Sequence, residues 1–242
     1  MAQIRPIPAS ELRSGSSFGS PELRAMQGDD FANPGMLWVE RGQKLWQTPA
    51  GAAARACASC HSDAAAAMKG VATRYPVFDV TTKRFVDLEG RINACRTTQE
   101  RAPALAPESE DLLALSAFVA YQSRGAPLAV TAGADAKASL EQGREFYNAR
   151  HGQMDLSCSD CHDRYWGRHL LAETISQGHP TAYPAYRLEW QTLGSLARRI
   201  RACLFGIRAQ MLAPDDPKLT ALEFYLAWRA NGLPLEAPGV RR

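Results

Sequence analysis

Cys57-Ala58-Ser59-Cys60-His61 and Cys158-Ser159-Asp160-Cys161-His162 are the two stretches that decide how this chain folds. The same pattern leads into each. Val39-Glu40-Arg41-Gly42-Gln43-Lys44-Leu45-Trp46 precedes the first, and Leu140-Glu141-Gln142-Gly143-Arg144-Glu145-Phe146-Tyr147 precedes the second. Gly42 and Gly143 lie at the same interval before the first cysteine of their motif. The tails repeat too. Ala106-Pro107 leads to Leu112, Leu115, Phe118 and Tyr121 and closes on Gly125 and Pro127. Ala213-Pro214 leads to Leu219, Leu222, Tyr225 and Trp228 and closes on Gly232 and Pro234. Apolar residues at helical spacing, stopped by a glycine, predict an amphipathic helix in each tail. Self-similarity on this scale is the mark of a duplicated unit.

Each unit reads as a helix, a Cys-x-x-Cys-His motif, a variable middle and a closing helix. In Cys-x-x-Cys-His the cysteines bond the two vinyl groups of a haem and the adjacent histidine reaches its iron. A zinc site would need four ligands of matching spacing at each motif. A redox dithiol needs neither the histidine nor the repeat. The prediction is a mainly α fold: two cytochrome c-like domains related by internal duplication, with an irregular N-terminal arm. The arm covers residues 1–35, the first haem domain 36–128, a small-residue linker 129–138, and the second haem domain 139–242. Cys57, Cys60, Cys158 and Cys161 bind two covalent haem c groups, with His61 and His162 on the irons.

Composition narrows the function. The 242 residues are 45% hydrophobic, enough for a packed core, with a formal net charge of +3. The arginines are scattered and make no phosphate-tracking stripe, which argues against nucleic acid. No stretch approaches the roughly 20 apolar residues that cross a bilayer. Met1-Ala2-Gln3-Ile4-Arg5-Pro6 is polar and is read as the start of an already processed, exported chain, because haem joins Cys-x-x-Cys-His outside the cytoplasm.

The sixth iron ligand is the sharper question. Met68 and Met211 are near their motifs in sequence, but the repeat does not align them. It aligns Arg91-Ile92-Asn93-Ala94-Cys95 with Arg199-Ile200-Arg201-Ala202-Cys203, the only two cysteines outside the motifs. A thiolate is a strong anionic axial ligand that lowers the reduction potential. The leading assignment is therefore His61/Cys95 at one iron and His162/Cys203 at the other. A Cys95–Cys203 disulfide is the competing reading, and His151, His169 and His179 fall at no repeated position.

With these residues in view, the chain resembles the dihaem A subunits of the SoxAX cytochrome complexes of thiosulfate-oxidising bacteria, periplasmic L-cysteine S-thiosulfotransferases. The resemblance is carried by Asp29-Asp30-Phe31-Ala32-Asn33-Pro34-Gly35, by Arg91 to Arg96, by Tyr183-Pro184-Ala185-Tyr186-Arg187 with Trp190, and by Arg199 to Cys203 with Arg208. It departs at Leu204-Phe205, where an aromatic is expected directly after the cysteine. The resemblance implies His/Cys ligation at both haems and a catalytic Cys203, often a persulfide. It also implies a monohaem SoxX-type partner and a SoxYZ-type sulfur carrier as acceptor. The expected reaction joins thiosulfate to a carrier cysteine as an S-thiosulfonate and passes two electrons to cytochrome c.

Thiosulfate needs positive charge around it, and guanidinium forks suit sulfonate oxygens. Arg199 and Arg208 are the first candidates, because a helix here would bring residues four and five positions from Cys203 near its face; Arg187 and Arg229 lie in segments able to fold back. Two rival readings are a dihaem thiosulfate dehydrogenase that forms tetrathionate and a plain electron carrier.

Overall fold

The computed structural model describes residues 6–242. In the arm, Ser20 caps helix α1 (Pro21–Gly28) by accepting from the Leu23 N–H, with Pro21 pre-set at the first turn. The first half then holds α2 (Met36–Gln47), the short α3 (Ala58–His61) and α4 (Ala64–Ala67), a hairpin of β1 (Val77–Asp79) and β2 (Arg84–Val86), α5 (Leu88–Cys95) and α6 (Glu110–Tyr121). The second half opens with α7 (Lys137–Asn148) and carries a small hairpin of β3 (His169–Leu170) and β4 (Glu173–Thr174). It continues with β5 (Ala185–Arg187), β6 (Thr192–Gly194), α8 (Leu196–Gly206), α9 (Pro217–Arg229) and β7 (Gly239–Arg241). Antiparallel β5–β6 repeats the β1–β2 hairpin, and β7 adds to β5 in parallel.

Why α2 crosses α6, and α7 crosses α9, is written in the two glycines. A Cβ on Gly42 would collide with the Ala114 carbonyl, and one on Gly143 with the Ala221 carbonyl. Only glycine lets each helix pair approach backbone to backbone. Trp46 and Phe118 pack in the first crossing, with ring centroids 5.6 Å apart, and Tyr147 and Tyr225 in the second at 5.3 Å. Leu113, Val119, Met68 and Leu193 complete the first core; Leu140, Leu219, Leu222 and Phe224 build the second.

The halves join along the chain that follows each closing helix. Gly125 N–H donates to the Leu235 carbonyl at 2.8 Å, and Leu235 N–H donates back to Ala126 at 2.9 Å. Beside this seam lies a cavity of about 110 Å³, lined by equivalent residues of the two halves, among them Tyr75 and Tyr183, Asp87 and Ser195, and Ser116 and Glu223.

Two stretches carry more structure than their composition suggests. The arm contains α1, and Asn33 is buried with its amide donating to the Pro238 carbonyl at 2.9 Å. In the 129–138 stretch, Val130 and Ala136 are 4% and 3% exposed and belong to the second core. Asn231 holds both backbone groups of Val130 at 2.9 Å. These small residues have an apolar surface to bury, because α9 ends directly beneath them.

Candidate functional site

In each half the motif cysteines and the late cysteine converge. Cys57 lies in electrostatic reach of Glu100 and Cys95, and Cys95 in reach of Cys60. Cys158 and Cys161 both feel Cys203. All six cysteines are free of disulfides. Cys95 and Cys203 thus sit each with their own motif, which disposes of the disulfide reading. Burial and the neighbouring Glu100 push the Cys57 thiol up to about 12; burial and Cys203 do the same to Cys158.

The late cysteines differ. Burial raises the Cys95 thiol, and Glu100 adds to that while Arg91 opposes it. Burial would raise Cys203 too, but a hydrogen bond with His162 and the positive fields of Arg199 and Arg187 outweigh it, and the thiol lies below its ordinary range. The repeat accounts for the arginine part of the difference. Arg91 and Arg199 are equivalent residues one turn before each cysteine. In the first half Arg91 is neutralised by Asp79 at the end of β1, at 2.5 Å. The residue equivalent to Asp79 is Arg187, at the end of β5. Arg187 is 4% exposed and bonds Glu173 at 2.9 Å and Glu189 at 2.8 Å. Arg199 reaches Glu173 at 3.7 Å. Both glutamates are more exposed than Arg187, so water screens their charge more than that of the buried guanidinium.

Arg208 lies beyond the end of α8 in a left-handed turn (φ 56°), exposed, and its carbonyl accepts from Gln153. The groups whose charge acts on Cys203 are His162, Arg199 and Arg187. Arg229 points elsewhere: it is 1% exposed and pairs with Asp163. Met68 is in the first core, and Met211 is 41% exposed. His151 binds the Phe146 carbonyl at 2.8 Å, His169 lies on exposed β3, and His179 binds the Arg13 carbonyl at 2.7 Å. Sequence reasoning passed over Asp79, Glu100 and Asp163; extending the pairing of Arg91–Cys95 with Arg199–Cys203 back along the chain would have flagged the Asp79/Arg187 inversion.

The donor set suits a c-type haem. Two thiols stand two residues apart on a helical turn, with an imidazole directly after. The His162 Nδ1 lies 2.7 Å from the Ser176 carbonyl, which only accepts, so the proton is on Nδ1 and the lone pair on Nε2 is left for an iron.

Two motif-bearing units, each closed by helices that cross on a glycine, define a c-type cytochrome with covalently bound haem c. The family model described as "SoxA/TsdA, cytochrome c domain" matches residues 41–128 and 142–235, and the chain belongs to that family. Among curated relatives, the L-cysteine S-thiosulfotransferase subunit SoxA of Pseudaminobacter salicylatoxidans is 38% identical, over 97% of this chain and 82% of its own. That of Rhodovulum sulfidophilum is also 38% identical, over 96% and 80%. The crystal structure of SoxXA from P. pantotrophus superposes with a TM-score of 0.91 at 32% identity, covering 95% of this chain and 86% of that one. Among the described residues no helix is long and apolar enough to cross a membrane.

Proposed function

We propose that this chain is the haem-bearing subunit of an L-cysteine S-thiosulfotransferase, and that Cys203 is the residue on which sulfur is transferred. The observation that carries this reading is the inverted charge at the hairpin ends: Asp79 neutralises Arg91 in the half of Cys95, whereas Arg187 stands at that place and joins Arg199 in the half of Cys203. The names of the relatives and their coverage of nearly the whole chain support the activity.

Cys57 and Cys60 would hold one haem, with His61 and Cys95 as the residues offered to its iron, and Cys158 and Cys161 a second, with His162 and Cys203. When bound, the second haem would take electrons one at a time and pass them to cytochrome c, so that two leave in succession. Arg199 and Arg187 receive the sulfonate end of thiosulfate, with Arg208 at the rim. The outer sulfur of thiosulfate forms an S–S bond to the Cys203 thiolate, and two electrons leave. The carrier cysteine then gives up its proton and attacks that outer sulfur. The bond to Cys203 breaks, the Cys203 thiolate is restored and the carrier bears an S-thiosulfonate, by exchange of the thiol–disulfide kind. One S–H bond is lost, one S–S bond is gained, and one proton and two electrons are released in sum.

The carrier is of the SoxYZ type. The partner is a SoxX-type monohaem cytochrome, supported by the likeness to a SoxXA structure. The compartment is the periplasm. Incubating the holoprotein with thiosulfate, carrier and ferric cytochrome c tests the reading. It predicts a carrier mass increase matching one thiosulfate; tetrathionate with an unmodified carrier would favour a thiosulfate dehydrogenase, and neither product a plain electron carrier.

A further inference from the structure

The second half holds a buried ionic bracket on the imidazole side of its motif that the first half lacks. Arg229, near the end of α9, is 1% exposed and lies against the Tyr147 ring, 4.5 Å from its centroid. Its guanidinium pairs with Asp163, the residue after His162, and donates to the Gln177 carbonyl at 3.1 Å. Tyr147 donates to the same Asp163 oxygen at 2.9 Å. The Ser176–Gln177–Gly178 loop is wrapped tightly on the imidazole. The Ser176 carbonyl accepts from His162, and a Cβ on Gly178 (φ 71°) would sit 3.1 Å from the His162 ring. Fully buried Gln177 also ties the loop to the arm: its amide donates to Glu11 at 2.9 Å and accepts from Arg13 N–H at 2.8 Å. At the equivalent positions of the first half stand Gln122, turned back to the Phe118 carbonyl at 3.1 Å, and exposed Ser62. Among the described residues His61 has no hydrogen bond like that of His162.

We propose that Arg229 is a positioning residue for His162, fixing the loop that orients the imidazole at the second haem. The inference rests on the reading that His162 is an axial ligand there. Burying a guanidinium is costly unless it is paired, and here only the Nε is left without a partner. This one spends its bonds on the two chain segments that flank the histidine, Asp163 and Gln177. A fixed acceptor at Nδ1 sets the tautomer and ring plane and raises ligand basicity, as second-sphere partners of metal-bound histidines do. Loss of the bracket frees the ring to rotate.

The test is the ferric low-spin EPR spectrum of the holoprotein in Arg229→Lys, Arg229→Gln and Asp163→Asn, the last keeping volume in case the Arg229 variants fold poorly. The expected result is a shift or splitting of the signal from the second haem, smallest for Arg229→Lys, with the first haem's signal unmoved. A merely structural role would lower thermal stability and leave the g-values in place. The second signal is assigned by its response to His162→Met. If His162→Met moves it and the bracket variants do not, the inference is overturned and the ligand assignment stands. If His162→Met moves neither signal, the ligand assignment falls and the inference with it.

Discussion

Asp79 and Arg187 stand at the same place on two copies of one hairpin, and the helix that follows each ends its approach at a cysteine. In the first copy the carboxylate neutralises Arg91, and Glu100 faces the thiols. In the second the strand end is itself cationic, and Ile207 takes the place of Glu100. The backbone is shared, down to the glycine at each helix crossing. Two side chains at each site invert the charge there: burial and Glu100 push the Cys95 thiol above its ordinary range, whereas Arg199 and Arg187 add to His162 in holding Cys203 below it. A duplicated haem unit can thus keep its frame while one copy changes the charge around its cysteine.

The sharpest way to break this comparison is at the cysteines themselves. Cys203→Ala is expected to lower thiosulfate transfer by about three orders of magnitude or more, the usual cost of losing a nucleophile. Cys95→Ala keeps activity within about tenfold. A steady-state assay of carrier modification by both variants, with haem content verified, decides this. Equal losses would deny the specialisation.

A second prediction tests the sameness of the frame. Gly42→Ala and Gly143→Ala each force a methyl into a carbonyl across a helix crossing. Overpacking of this kind costs about 3 kcal/mol, so both variants lose several degrees of thermal stability by similar amounts. A tolerated substitution in one half alone would mean the crossings are not equivalent.

The arginines come next. Removing a charge-assisted bond to substrate costs about 2 kcal/mol, so Arg199→Ala and Arg187→Ala should each lower kcat/KM roughly 30-fold. Arg91→Ala and Asp79→Ala in the first half leave it unchanged. Arg187→Asp, which installs the first half's residue, exceeds Arg187→Ala.

The smallest effect concerns the seam. Burial, then Asp87 and Glu108, push Glu89 up to about 8, from 4.5. Burial, then Asp87, Glu89 and Glu108, hold Glu223 well above the carboxylate range. Both are protonated in the folded chain at neutral pH and ionised in the unfolded one. A folded value above the unfolded one gives stability that is full below about pH 4.5 and falls as pH rises towards about 8. Glu223→Gln removes part of the slope, about 1 kcal/mol at pH 8. Thermal melts at pH 5 and pH 8 check this; parallel curves for both proteins would remove the seam as the cause.

The frame was legible because its signals are local and doubled. Gly42 and Gly143, the Gly125 and Gly232 stops and the paired late cysteines each recur at matching intervals. Helix α1 was missed, because the Ser- and Pro-rich composition of the arm reads as irregular and hides the start signal in Ser20 and Pro21. The charge around Cys203 was harder to see. Arg199 follows from helical spacing. Arg187 arrives by a hairpin that folds back onto α8, and only pairing Asp79 with Arg187 reveals the inversion. Arg208 lies outside the spacing argument: α8 stops at Gly206, and the position of Arg208 is set by a left-handed turn and not by helical spacing. The inward course of Arg229 depends on Asp163 and Gln177, brought together only by the tertiary fold.

Peptide mass mapping after exposure of the holoprotein to thiosulfate tests the central claim most directly. The account predicts added sulfur, as a persulfide or a thiosulfate adduct, on the peptide containing Cys203 and none on the peptide containing Cys95. An adduct on Cys95, or unmodified Cys203 in protein that is actively modifying its carrier, would contradict it.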